Sequence, residues 1–213
     1  FSIPKELVLR LISERPINNF VETGTYKGGT TFWAAQYFPK VYTIEIDSEL
    51  SALAASHPMN SGNIEFLVGD SRVVLPKLIS TKIQGSSLFW LDGHWCSGGG
   101  GKDSECPLLE ELTAISSLKD AVVLIDDARC FFGPLPKPHN SSDWPRIDQI
   151  FQSAKALFPT HRVTIQDDVI LILPPFYFKV FEDFWEESYY SRYEFVSKKS
   201  LWKKIKMKLS WSN

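Results

Sequence analysis

The chain of 213 residues carries 23 Lys and Arg against 25 Asp and Glu, a formal charge of −2 at pH 7. Near balance excludes the strongly basic face that marks a general nucleic-acid binder, and 44% hydrophobic with 14% aromatic residues excludes a disordered or fibrous chain. At this length one domain with an appendage is expected, large enough to bury its own core.

In chain order, "PKELVLRLISERP" spaces Leu7, Val8, Leu11 and Ile12 as a helix that Pro16 stops. β-rich runs follow at Phe20–Thr23, Val41–Ile46, Ile64–Val68, Leu88–Leu91, Val122–Ile125, Val163–Gln166 and Val169–Leu173. Helix-length segments separate the first five: Thr30–Phe38, Ser48–His57, Ser71–Ile79 and Pro107–Leu118. Strand–helix alternation predicts a parallel sheet covered on both faces. The "QDD" between the last two runs is too short for a crossover, so that pair is expected to be an antiparallel hairpin at one edge. The fold class read from this pattern is α/β: a Rossmann-like, doubly wound, mostly parallel seven-stranded sheet with helices on both faces.

Cys96, Cys106 and Cys130 are an odd number in a chain too long to need disulfide staples, so reduced thiols in a cytoplasmic setting are expected. No Cys-x-x-Cys pair supports a zinc site built from them with His94. The longest apolar run, "VILILPPFYF", has ten residues and two prolines, against the roughly 20 needed to span a bilayer. No secretory signal is visible, and the chain begins at Phe1 rather than Met, as expected of a piece of something longer.

Four strand ends carry acid: "FVETGTYKGG", "VYTIEID", "LFWLDGH" and "VVLIDDA". In an open parallel sheet the carboxyl ends of the strands border the ligand crevice; the competing use of such acids, above all Asp47 and Asp70, is to cap the helices that follow. The turn Gly24–Gly29 has the spacing G-x-x-x-G-G, not the dinucleotide fingerprint G-x-G-x-x-G. Glu45, 21 residues after Gly24, stands where an acceptor-only carboxylate takes both hydroxyls of an adenosine ribose, in NAD or in S-adenosylmethionine (SAM). Glu22 beside the turn attracts an ammonium and repels a pyrophosphate, which favours SAM.

"VETGTYKGGTT", "VYTIEID", "VGDSRVVLPKL", "FWLDGHW" and "VVLIDDA" stand in the order and spacing of class I SAM-dependent methyltransferases. They resemble most the metal-dependent O-methyltransferases of the catechol and macrocin (sugar) types, over residues 15–175. The resemblance implies a SAM site formed by Glu22, Thr23, Gly24, Tyr26, Gly28 and Thr30 at the methionine end. Glu45 and Ile46 then lie at the ribose, Asp70 and Ser71 at the adenine, and Asp92 nearby. It also implies that Asp92, Asp126 and Asp127 bind a divalent cation such as Mg²⁺, a hard ion suited to oxygen ligands. Such an ion orients a sugar hydroxyl and lowers its pKa. His94, two residues past Asp92, is placed to take the hydroxyl proton as general base, with Asp92 the second catalytic candidate. The catechol-type base is a lysine three residues past the aspartate; Trp95 stands there instead, which turns the expectation from catechols toward sugars. A small phenolic acceptor, or service as a non-catalytic partner of a glycosyltransferase, are the alternatives.

Two loops are candidate acceptor elements: the glycine-rich Cys96–Cys106, and Ala128–Pro145, which mixes four prolines with Arg129, Lys137, His139 and aromatics. The methyltransferase domain is expected over residues 1–175 and a helical extension over 176–213. In the extension Phe178, Phe181, Trp185 and Tyr189 make one packing face. Six lysines between Lys198 and Lys208 then flank the stripe Leu201, Trp202, Ile205 and Leu209, a pattern that suits peripheral contact with an anionic membrane or a linker to a neighbouring domain. A glycan acceptor, a neighbouring glycosyltransferase domain or a homodimer are the partners expected, and nucleic acid is not.

Overall fold

A computed structural model describes residues 3–95 and 105–192. Its elements are α1 (Lys5–Glu14), β1 (Asn19–Thr23), α2 (Gly29–Ala34), β2 (Lys40–Glu45), α3 (Ser48–Ala55), β3 (Ile64–Val68), α4 (Ser71–Thr81), β4 (Ser87–Leu91), α5 (Leu108–Ile115), β5 (Val122–Ile125), α6 (Ile147–Leu157), β6 (Arg162–Gln166) and β7 (Val169–Leu173). A last helix, α7, runs over 178–192. The sheet order is β3-β2-β1-β4-β5-β7-β6. The first five strands are parallel, and β7 runs antiparallel to both β5 and β6. The seven-stranded, doubly wound sheet and its antiparallel edge hairpin are therefore as the sequence predicts.

Burial follows position in the sheet. The inner strands β1, β4, β5 and β7 are buried throughout, whereas the edge strands β3 and β6 are only partly covered. Alternate side chains face opposite layers. Val21, Phe89, Leu91, Val123 and Ile125 pack with α4, α5 and α6, while Phe20, Leu88, Trp90, Val122 and Leu124 pack with α1 and α7. The order reverses about β1 and β4, so their carboxyl ends open the crevice where this class of sheet binds ligands.

Two readings change. Helix α6 is missing from the predicted elements, although Ile147, Ile150, Phe151 and Ala154 have helical spacing and Ile150 and Ala154 are fully buried. The packing face is Tyr177, just ahead of α7, with Phe181 and Phe184 within it, at steps of four and three, while Trp185 and Tyr189 are half exposed. The expected face is thus rotated, and Phe181 alone belongs to both. The glycine-rich segment 96–104 and the basic segment 198–209 lie outside the described residues. No helix among the described residues is long and apolar enough to cross a membrane.

Candidate methyl-donor and acceptor site

One edge of the crevice is built on the end of β1. Gly24 has φ +86°, a left-handed conformation that favours glycine, and a Cβ there would lie 2.3 Å from the Asp92 carbonyl oxygen. The Asp92 amide also donates to the Thr23 carbonyl at 3.1 Å. The glycine turn and the end of β4 are thereby pressed together. Gly28, φ +78°, caps α2 in the same left-handed region.

Glu22 lies under this turn rather than on its open surface. It is 2% exposed, and one oxygen, Oε2, accepts from the Thr43 hydroxyl at 2.8 Å and from the Thr31 hydroxyl. Thr43 in turn meets Thr25 at 2.6 Å. Burial pushes the Glu22 carboxyl up to about 8, against the pull of the two threonines. Its part is to tie the turn to β2 and α2.

Glu45, at the end of β2, is 7% exposed. Its Oε2 accepts from the Tyr26 amide at 2.8 Å and its Oε1 from the Asp47 amide at 3.0 Å. Tyr26, at φ +47°, is exposed beside it. Ile46 is 44% exposed although apolar, an uncovered face next to the carboxylate. Asp47 and Asp70 do cap: Asp47 accepts from the Glu49 and Leu50 amides, and Asp70 from the Arg72 amide and guanidinium. Asp70 is held below the usual carboxylate range chiefly by that Arg72 side chain. Ser71 is buried and Thr30 half buried on the first turns of α4 and α2.

The other rim of the crevice is built on the ends of β4 and β5. His94 Nε2 lies 3.2 Å from Asp127 Oδ2 and 3.9 Å from Asp92 Oδ1. Burial lowers the His94 pKa, but the Asp127 hydrogen bond and the charges of Asp92, Asp127 and Asp126 outweigh it and raise the net value. Burial pushes Asp92 up to about 7, with His94 opposing and Asp126 and Asp127 reinforcing. Asp126 is also raised by burial, and its Oδ1 accepts the Asp127 amide at 2.8 Å. Asp127 is lowered, first by its bond to His94. The three aspartates predicted from sequence therefore share one rim.

The sheet order and layering recur in solved structures. A Staphylococcus aureus protein with the provisional name caffeoyl-CoA O-methyltransferase matches with a TM-score of 0.57 and 14% identity, covering 81% of this chain and 85% of that one. A provisionally assigned methyltransferase of Streptococcus mutans in complex with SAH gives 0.55 and 12%, over 81% and 98%. Human methyltransferase-like protein 13 in complex with SAH gives 0.53 and 15%, over 80% of each chain. The chain has the fold of the SAM-dependent methyltransferases. No family model and no curated protein matches its sequence.

The residues of this methyltransferase fold suit SAM. The Gly24 turn leaves no room for a side chain, Glu45 closes the end of β2, and Ile46 offers apolar surface beside it. Thr23 Oγ1 and Glu111 Oε1 are buried together beneath Gly93, within 3.4 Å of where a Gly93 Cβ would lie. Glu111, in the first turn of α5, is the residue sequence reasoning missed. It is 2% exposed, close to Gly93, and burial pushes it up to about 7 against Ser71 and Thr23. An acid in "CPLLEEL" reads as the polar face of a helix, and only the buried pattern of α5 distinguishes Glu111 from Glu110.

A divalent ion fits less well. Asp127 is already engaged by His94 and, through Oδ1, by Arg129 at 2.8 Å. Asp126 is held by the Asp127 amide. Among the described residues no three His, Cys, Asp or Glu side chains stand together as one ligand set. Rim membership holds for Asp92, Asp126 and Asp127; Asp127 has both oxygens engaged by His94 and Arg129, and Asp126 has one on the Asp127 amide. Cys106 is buried and Cys130 partly buried; Cys96 lies outside the described residues.

Sequence reasoning also passed over Glu105. This 2%-exposed carboxylate accepts from Trp144 Nε1 at 2.6 Å, the Asn140 amide at 2.8 Å and His139 Nδ1 at 3.1 Å. Trp144 then packs edge-on to His94, ring centroids 5.2 Å apart. The end of the glycine-rich loop is thus fastened to the Ala128–Pro145 loop, and both wall in the histidine.

Raised carboxyl pKa values set the pH dependence of stability. In the folded chain Glu22 and Glu111 keep protons to about 8 and about 7, against an ordinary 4.5. The folded state therefore binds more protons than the unfolded state across that interval, and stability falls as pH rises through it. Glu22→Gln, which mimics the protonated carboxyl, is expected to flatten this decline and recover on the order of 3–5 kcal/mol near pH 9. Denaturant melts at pH 5, 7 and 9 measure it; an unchanged slope in the variant would place the Glu22 proton elsewhere.

Proposed function

We propose that the protein is a SAM-dependent O-methyltransferase acting on a hydroxyl of a sugar or glycan. The observation that carries this reading is the contact of Gly24 with the Asp92 backbone. It sets the donor turn directly against the rim that holds His94, so a methyl source and a proton acceptor share one crevice. When bound, SAM supplies an electrophilic methyl group on a sulfonium.

The chain's own residues do the rest. Glu45, Ile46, Ser71 and the Gly24 turn hold and orient the adenosyl and methionine parts, with Thr23 and Glu111 buried beneath. His94, with its Nε2–H donated to Asp127, carries its lone pair on Nδ1 as the neutral imidazole. It would take the acceptor hydroxyl proton, freeing that oxygen for the methyl group that SAM would supply. Asp127 fixes the tautomer and stabilises the imidazolium formed, the usual service of a carboxylate behind a histidine base. Trp95, Trp144 and Phe131 exclude water from one side of it. Aromatic walls and the exposed Phe132 suit the apolar faces of a sugar ring.

A phenolic acceptor is the second reading, favoured by likeness to the protein named for caffeoyl-CoA. Against it, the lysine of the catechol type is replaced by Trp95, which is 7% exposed and donates its amide to the Glu105 carbonyl at 2.7 Å. A panel of glycan and phenolic acceptors with labelled SAM, read by mass, separates the two. Labelling of phenols alone would overturn the sugar assignment, and no labelling with intact SAM binding would point to a non-catalytic partner. Glu45→Ala is expected to weaken SAM binding by about 2–3 kcal/mol, the size of a lost pair of charge-assisted hydrogen bonds. Calorimetric titration checks it, and an unchanged affinity would remove Glu45 from the donor site.

A further inference from the structure

The rim gathers four carboxylates: Asp92, Asp126 and Asp127 at the strand ends, and Asp168 on the β6–β7 hairpin. Without compensation, such a cluster repels itself. The compensation present is internal. Arg129 Nη1 pairs with Asp127 Oδ1 at 2.8 Å and also with Asp168, and His94 takes the other Asp127 oxygen.

The backbone is shaped to deliver this arrangement. Asp127 adopts φ +55°, ψ 45°, a left-handed conformation uncommon outside glycine and best tolerated by Asp and Asn. It turns the chain into a short 3₁₀ segment, Ala128–Phe131, in which the Cys130 amide bonds the Asp127 carbonyl at 2.8 Å. Two residues on, the Arg129 guanidinium returns to the Asp127 carboxylate. Its own amide is fixed by Asp168 Oδ1 at 2.9 Å, and the Ala128 amide by the Asp168 carbonyl at 2.8 Å. A strained backbone at a functional edge is retained where the surrounding bonds determine it, and here they determine where a guanidinium sits.

We propose that Arg129 is a built-in cation of the acceptor rim, occupying by charge the place a divalent ion would take, so that this site works without a metal. The Arg129 side chain is half exposed, and the Asp168 side chain it meets is nearly buried. The guanidinium stands against the Asp127 carboxylate that orients His94. Together with His94 it engages both Asp127 oxygens, which a metal ion would need. This extends the methyl-transfer reading, but its first test does not depend on it.

Mn²⁺ titration followed by the electron paramagnetic resonance of the free ion, on the whole chain, measures uptake directly. The wild type is expected to take up none at millimolar Mn²⁺. Arg129→Gln frees Asp127 and is expected to take up one ion per chain. Because that variant leaves the buried Asp168 short of a partner, Arg129→Gln with Asp168→Asn repeats the measurement with the buried charge removed, and SAM binding on the same samples reports that the donor site is folded. Stoichiometric uptake by the wild type, or none by both variants, overturns the proposal. Once an acceptor is known, wild-type turnover is expected to survive EDTA and to fall at least tenfold in Arg129→Gln, with partial recovery in Arg129→Lys. Loss of turnover in EDTA would overturn the proposal while leaving the methyltransferase reading intact, whereas failure of the wild type to bind SAM would sink that reading without touching the Mn²⁺ result.

Discussion

Replacing His94 by alanine is expected to lower the methyl-transfer rate by roughly 10²–10⁴-fold, the usual contribution of a positioned general base, while SAM affinity stays within a few-fold. His94 reaches Asp127 and Asp92 but none of Glu45, Ile46 or Ser71, so donor binding has no reason to change. The pH profile supplies a readout that misfolding does not imitate. Asp127 and its neighbours raise the His94 pKa above its ordinary 6.5, and only the neutral ring accepts a proton. Wild-type rates are therefore expected to climb with pH beyond 6.5 before levelling, and the alanine variant to lose that limb. Single-turnover rates from pH 6 to 9 with the acceptor found by the panel decide it. An alanine variant within threefold of wild type would remove His94 from the chemistry.

The second large effect is steric. Gly24→Ala places a Cβ 2.3 Å from the Asp92 oxygen and 2.8 Å from its carbonyl carbon, both main-chain atoms with nowhere to rotate. With the left-handed φ added, a cost of about 3 kcal/mol or more in stability is expected, together with a SAM affinity at least tenfold weaker. Two neighbours grade the claim. At Gly28 the new Cβ meets the Phe32 ring, a side chain able to yield, so the loss is smaller and comes mainly from φ. At Gly29, already in α2 with nothing within 4 Å of its Cβ, alanine is expected to be neutral or slightly stabilising. Thermal melts and SAM titrations on the three variants test the order, and equal effects at all three would refute it.

Much of this arrangement is written in local sequence. The alternation of apolar runs with amphipathic segments sets five parallel strands to within a residue or so of their observed ends, and the brevity of "QDD" forces the hairpin. The strand-end acids announce the crevice because a charged group closing an apolar run needs water or a ligand. Other features depend on tertiary placement and leave no local mark. Glu111 and Glu110 are adjacent acids in one helical turn, and only packing of α5 against α4 decides which is buried. Glu22 reads as a charge facing ligand, but Thr31 and Thr43, nine and 21 residues away, draw it beneath the turn. Arg129 reads as one more basic residue of a proline-rich loop until the hairpin brings Asp168 to it from 39 residues on. Helix α6 was overlooked because Pro145 at its border resembles the end of a loop, although proline is equally at home beside the first turn of a helix.

The hold of Glu45 on the Tyr26 and Asp47 amides bears on how the empty protein behaves. Both amides are bonded by Glu45 rather than left for a ligand, so their hydrogens should exchange slowly with deuterated solvent whether or not a nucleoside is bound. A recognition loop already locked in shape gives up little disorder on association, and more of each contact remains as affinity.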